Sequence, residues 1–154
     1  MLSKIGILSD THGLLRPEVV STVSDCDIII HAGDVGDLSI LEELRRIAPV
    51  HAVQGNTDKG KWTEALPLTT GIEIHGHFIY ILHDIEHLDL DPAAAKVEMI
   101  IFGHSHKPEF KEKDSVFYLN PGSAGPRRYS LPVTMARVIV NAEELIPEII
   151  TLNV

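Results

Sequence analysis

Two stretches decide the fold: Lys4-Ile-Gly-Ile-Leu-Ser-Asp-Thr-His12 and Asp27-Ile-Ile-Ile-His-Ala-Gly-Asp34. Each is a short apolar run that ends abruptly in polar side chains able to bind metal. An uninterrupted Ile-rich run such as Ile28–Ile30 is the pattern of a strand buried on both faces, as in a parallel sheet. Between the two, Arg16–Val23 reads as a short helix, with Pro17 suited to its first turn. The opening of the chain is therefore predicted as strand, helix, strand, with its functional groups at the strand ends.

Further along, Ser39 and Glu42 have capping-box spacing and predict a helix running to about Ile47. Val50–Gln54 is a third strand. Ile72–His75 and His77–Leu82 read as a hairpin, because Gly76 can supply the turn dihedrals. Asp91-Pro92 is predicted to open a short Ala-rich helix, and Glu98–Phe102 to form a strand. Val116–Leu119, Pro132–Val140 and Leu145–Leu152 complete a more antiparallel C-terminal half. This order predicts an α/β fold of two mixed sheets packed together with helices outside. The chain has 154 residues and shows no repeat, linker or low-complexity segment, so residues 1–154 are expected to form one domain.

Hydrophobic residues make up 44% and charged residues 23%, the ordinary balance of a globular protein. The single Cys26 permits no internal disulfide, and no signal segment or membrane-length apolar run is present. A cytoplasmic setting without membrane attachment is the expectation. The net charge of −9 argues against a polymeric nucleic acid as ligand, which requires a basic face. It also repels phosphate esters, unless bound divalent cations invert the local potential. Composition leaves a homo-oligomer open.

The informative pattern is where the polar residues fall. Asp10 and His12 follow the first strand, Asp34 the second, Asn56 the third, His83 a hairpin strand, and His104 and His106 another. In open α/β sheets, residues just beyond the carboxyl ends of strands converge on one crevice. Gly33, Gly55 and Gly103 each precede a candidate ligand, which permits close backbone approach. Two carboxylates, an amide oxygen and four imidazoles, without thiolate, suit Mn, Fe, Ni, Co or Zn better than Mg or Ca. Seven donors exceed the needs of one ion but suit two ions sharing a carboxylate, the arrangement that activates water and clamps an in-line displacement at phosphorus.

D-x-H, GD, GN, a strand-ending His and GHxH, in that order over Ile5 to about Arg127, resemble the calcineurin-like metallophosphoesterase superfamily. The short length, GNTD in place of GNHE, and Asn120-Pro-Gly-Ser123 followed by Pro-Arg are similar to its small single-domain YfcE-type branch. The resemblance implies a four-layer α/β/β/α sandwich. It implies one metal on Asp10, His12, Asp34 and His106, and a second on Asp34, Asn56, His83 and His104, with Asp34 bridging. It also implies two divalent transition-metal ions, Mn foremost and Ni, Co, Fe or Zn as alternatives. A small phosphodiester is then cleaved by a hydroxide that bridges the ions and attacks phosphorus, with Asp10, Asp34, Asn56 and His104 as the catalytic set.

Several residues keep a second reading. The family shows H-G-H where this chain has His83-Asp84-Ile85, while a literal H-G-H stands at His75–His77 in the expected hairpin turn. Strand-end position favours His83. Asp84 is either a partner of a ligating histidine or a solvated loop carboxylate. His31, inside an apolar strand, reads as a satisfied core or supporting histidine. His51 and His87 read as surface residues. Asn56 and Arg127 are candidate substrate contacts, the latter through its forked donors, as is Arg128, although exposed arginines are commonly plain surface. Asn120 shapes either the site or a turn. A different class of function, a scaffold of the same fold, is represented by the metallophosphoesterase-like subunit of retromer, which has lost part of the metal-binding set. All seven ligand types are present here.

Overall fold

The computed structural model describes every residue, Met1–Val154. The predicted β-α-β-α-β opening forms as β1 (Ser3–Leu8), α1 (Pro17–Val23), β2 (Ile28–His31), α2 (Leu38–Arg45) and β3 (Val50–Ala52). Then come β4 (Thr69–Ile74), β5 (His77–Leu82), β6 (Met99–Ile101), β7 (Glu109–Lys113), β8 (Val116–Asn120), β9 (Thr134–Val140) and β10 (Leu145–Thr151). The first sheet has the order β10-β9-β1-β2-β3 and the second β4-β5-β6-β8-β7. Both are mixed. β1, β2 and β3 run parallel, and so do β5, β6 and β8, while β9, β10, β4 and β7 pair antiparallel.

Alternation along the strands builds the layers. Ile5, Ile7, Ile30 and Val138 meet Ile79, Ile81, Met99, Ile101 and Leu119 in the core between the sheets. Leu8, Ile29 and Met135 face the other way, against Val19, Val23, Leu41 and Leu44 of α1 and α2. Each fully buried Ile or Leu contributes roughly 1.5–3 kcal/mol relative to exposure. The outer face of the second sheet, with Leu82, Ile100 and Val116, is covered by Ile85, Leu88, Leu90 and Val97 of the connection between β5 and β6.

That connection corrects one expectation. The Ala-rich segment after Asp91-Pro92 is a series of turns, and the only helical piece of the connection is a single 3₁₀ turn, Ile85–His87. The Asp91 carboxylate accepts the Ala93 N–H at 3.1 Å, and Lys96 takes a left-handed φ of 60°. The chain must reach β6 at Met99, so a local turn displaces a helix despite good Ala propensity. α2 is capped by Asp37, whose side chain accepts the Ser39 N–H at 3.0 Å, and not by Ser39 itself. β7, absent from the sequence-based expectation, is a fully exposed charged edge strand turning into β8 at Asp114-Ser115. No helix is long and apolar enough to cross a membrane.

Candidate metal centre

All seven candidate ligands come to the edge formed by the carboxyl ends of β1, β2, β3, β5 and β6. Asp10 and Asp34 form the floor with His83 and His106, all buried; His12 is half-buried, and Asn56 and His104 are exposed at the rim. The Asp10 Oδ1 atom lies 3.4 Å from His106 Nε2, 3.7 Å from His12 Nε2 and 3.9 Å from His83 Nε2. Asp34 Oδ2 lies 3.3 Å from His83 Nε2 and 3.7 Å from His12 Nε2. Asn56 Oδ1 stands 3.1 Å from His83 Nε2 and 3.3 Å from His104 Nδ1. Two compact donor groups result, Asp10–His12–His106 and Asp10–Asp34–His83, each with donor atoms within 4.8 Å of one another.

The backbone is bent to achieve this. Asp10, His12, Asp34, His104 and His106 have φ of 56°, 46°, 55°, 73° and 64°. A left-handed conformation costs a non-glycine residue roughly 1–2 kcal/mol. Five such residues at one strand edge mark strain gathered where function needs it. The same bends answer how His104 and His106, two residues apart, both face inward: the segment after β6 is not extended, so the alternation of a strand does not apply. Gly55 and Gly103 are required by proximity. A Cβ on Gly55 would sit 2.1 Å from Asp34 Oδ1, and one on Gly103 would sit 2.1 Å from Ser9 Oγ.

The donor chemistry fits divalent ions. His83 Nδ1–H donates to the Ala32 carbonyl at 2.8 Å, which fixes the tautomer and turns the Nε2 lone pair toward Asp34 and Asn56 oxygens. A lone pair facing two oxygens repels them unless a proton or a metal ion lies between. Asp10 Oδ1 is buried without a hydrogen-bond donor, the condition a cation would relieve. Asp10 Oδ2, by contrast, accepts from Ser9 Oγ–H at 2.7 Å and from the His104 N–H at 3.2 Å. Burial opposes charge on both members of the His83–Asp34 pair. The pairing outweighs it: His83 is raised in proton affinity by the Asp34 and Asp10 carboxylates, and Asp34 is held well below the usual carboxylate range by His83 and the Thr57 N–H.

The remaining candidates sort by position. His31 is fully satisfied: the Gly33 N–H donates to its Nδ1 at 3.1 Å, and its Nε2–H donates to Thr11 Oγ1 at 2.9 Å. Burial pushes its pKa down to about 4, so it is a neutral prop beneath the site. His75 and His77 lie at the hairpin turn on the opposite end of β5, bonded to Ser3, Glu98 and Asn141. Asp84 Oδ2 stands 3.7 Å from His104 Nε2 and 3.9 Å from His87 Nε2. Asn120 Nδ2–H donates to the Gly103 carbonyl at 3.0 Å, and its Oδ1 accepts the Gly122 N–H at 2.9 Å within the turn after β8. Arg127 and Arg128 share a cavity of about 380 Å³ with His12 and His106. A second cavity of about 620 Å³ opens on the other side, beside Asn56, His83, Asp84 and His87.

Asp58, the last residue of GNTD, has a role that the motif does not disclose. It is buried and accepts N–H bonds from Val35, Gly36 and Gly55 at 3.2, 2.9 and 2.9 Å. A polar residue two positions past the GN asparagine was the only available signal.

The family's sequence model, described as the calcineurin-like phosphoesterase superfamily domain, matches residues 3–143. The chain belongs to this superfamily. Among relatives, a "probable metallophosphoesterase" of Methanothermobacter thermautotrophicus is 34% identical over 95% of this chain and 91% of its own length. A phosphodiesterase of Methanocaldococcus jannaschii is 28% identical over 77% of this chain and 82% of its own length. Among solved structures, YfcE, a phosphoesterase from E. coli, superposes with a TM-score of 0.71 at 20% identity, over 97% of this chain and all of that one. Vacuolar Protein Sorting 29 from Cryptosporidium parvum superposes with a TM-score of 0.84 at 17% identity, over 99% and 92%. These likenesses bear out the metallophosphoesterase fold of two mixed sheets. Superfamily membership makes this chain a metal-dependent phosphoesterase.

Proposed function

We propose that residues 1–154 work as one domain, a phosphodiesterase that holds two divalent transition-metal ions, Mn foremost, and cleaves small phosphodiesters. The observation that carries this reading is the pair of donor groups that share Asp10, with Asp34 Oδ2 facing histidines of both. His12, Asp10, Asp34 and His106 would hold one ion, and Asp34, Asn56, His83 and His104 the other. The bound ions would lower the pKa of water and neutralise charge on the phosphoryl oxygens. Asp10 and Asp34 together bring two negative charges, so a filled site keeps a positive excess within a chain of net charge −9. A phosphodiester is drawn to that excess despite the acidic surround.

The chain's own groups set the selectivity. Asn56 and His104, exposed at the rim, would meet the incoming ester, and Arg127, which lines a cavity with His12 and His106, would pair with a phosphoryl oxygen through its fork. Nothing next to Asn56 offers a proton to the leaving group. Thr57 occupies the following position, its N–H is engaged by Asp34 Oδ1 at 2.9 Å, and Asp58 points into three backbone amides. Substrates whose leaving group departs as a stable anion are therefore favoured. Purified protein loaded with Mn²⁺ should hydrolyse bis-p-nitrophenyl phosphate much faster than an alkyl diester. Equal rates on both, or no hydrolysis with Mn, Ni, Co or Zn, would count against it; the latter result would favour a protein-docking role, for which Vacuolar Protein Sorting 29 offers likeness of fold alone.

A further inference from the structure

Three ligand-bearing loops lie edge to edge. The Asp10, His12 and Gly13 N–H groups donate to the Gly33, Asp34 and Val35 carbonyls at 3.0, 3.0 and 2.9 Å, a backbone ladder that ties the first loop to the second and is reinforced by Thr11 Oγ1–H donating to the Val35 carbonyl at 2.8 Å. The second and third loops, 33–36 and 55–58, share no comparable backbone ladder. Their junction is made by two carboxylates: Asp34 Oδ1 accepts the single Thr57 N–H, while Asp58 takes three, its Oδ2 accepting the Val35 and Gly55 N–H groups and its Oδ1 that of Gly36. We infer that Asp58 is a positioning residue that sets the spacing between the Asp34 and Asn56 loops, and so governs binding of the ion held with Asn56. This rests on the dinuclear reading above.

The physical argument is selective. Asp34 and Asn56 must deliver oxygens on either side of His83 Nε2, 3.3 and 3.1 Å from it. Gly55 packs so tightly on Asp34 that a Cβ there would lie 2.2 Å from the Asp34 backbone nitrogen. Backbones that close need a fixed separation, and three N–H groups converging on one carboxylate provide it at low conformational freedom. Asp10, His12 and His106 are attached through other bonds and do not depend on it. The hydrogen bonds of the Asp58 carboxylate all go to backbone amides, so its influence passes through the loops. Outer-shell partners of this kind commonly change metal affinity by about 10–100-fold.

The test titrates metal-free wild type, Asp58→Asn and Asp58→Ala with Co²⁺, following uptake by calorimetry and the ligand-field spectrum. His77→Gln, remote from the site, serves as a matched-stability control. The wild type should take up two equivalents. In Asp58→Asn the weaker equivalent should lose about tenfold or more in affinity, while the tighter changes less than about threefold. His77→Gln should retain both. Wild type binding two ions with Asp58→Asn indistinguishable from it, or His77→Gln losing the same equivalent, would overturn this role alone. Wild type binding fewer than two would overturn the dinuclear reading and this role with it. Should the Asp58 variants not fold, amide exchange in metal-free wild type decides: the Val35, Gly36 and Gly55 amides should already be protected, and protection gained only on adding metal would overturn the proposal.

Discussion

The chain carries two H-x-H segments, His75-Gly76-His77 and His104-Ser105-His106, and they sit at opposite ends of the second sheet. At the hairpin end each ring nitrogen that makes a contact has an ordinary partner: His75 Nε2 meets Ser3 Oγ at 2.8 Å, His77 Nδ1 meets Glu98 Oε2 at 2.8 Å, and His77 Nε2 meets the Asn141 carbonyl at 2.7 Å. At the strand-exit end the rings instead face oxygens of the candidate site across wider gaps: His104 Nδ1 stands 3.3 Å from Asn56 Oδ1, His104 Nε2 stands 3.7 Å from Asp84 Oδ2, and His106 Nε2 stands 3.4 Å from Asp10 Oδ1. Residue type does not separate the two segments. Left-handed backbone does not separate them by itself either, since His75 takes a φ of 49° beside 73° and 64° at His104 and His106; what separates them is the topological position, beyond the carboxyl end of parallel strands.

The sharpest way to break the comparison is to disable one end at a time. Asp34→Asn or His83→Ala should lower kcat/KM on an aryl phosphodiester by on the order of 10²–10³-fold or more, with the fold retained by circular dichroism. His77→Ala should leave kcat/KM within about twofold, because its partners all lie at the far end. Comparable losses at both ends would mean that the contrast has no functional content.

A pH measurement separates the supporting histidine from the proposed ligands. His31 has its folded pKa pushed down to about 4 by burial, whereas the unfolded chain protonates it near its ordinary value of about 6.5. Between those values the unfolded state binds the additional proton, so stability is complete above about pH 6.5 and declines as the pH falls toward 4. The shift corresponds to about 3 kcal/mol in total. Denaturant unfolding of metal-free His31→Gln should show a weaker acid-side decline than wild type; an identical decline would contradict the assignment.

Smaller effects follow at the periphery. His77→Ala should cost about 1–3 kcal/mol in chemical denaturation, since Glu98 and the Asn141 carbonyl lose their partner. Arg127→Ala should raise KM by up to about tenfold with kcat nearly unchanged, the signature of a phosphate contact worth about 1.4 kcal/mol. An unchanged KM would return Arg127 to plain surface.

The parallel opening and the strand-end placement of Asp10, Asp34, Asn56, His83, His104 and His106 were legible in the sequence because buried parallel strands have a distinctive Ile-rich signature and stop sharply. The inward turn of both His104 and His106 was not, since extended periodicity points them to opposite sides and only the bent backbone reverses that. The segment after Asp91 misled because Ala propensity is weak against the short path to Met99. β7 was hidden by its charge, the property that protects an exposed edge. Asp58 was invisible in its role because a side chain that binds other residues' amides leaves no periodic trace.

The central claim is that the donors on Asp10, Asp34 and the facing histidines and asparagine hold a pair of ions. Crystals grown with Mn²⁺ and measured on both sides of its absorption edge test it most directly. The account predicts two anomalous peaks about 3.5–4 Å apart, one beside His12 and His106 and the other beside His83, Asn56 and His104. A single peak, or none at full Mn²⁺ loading, would contradict it.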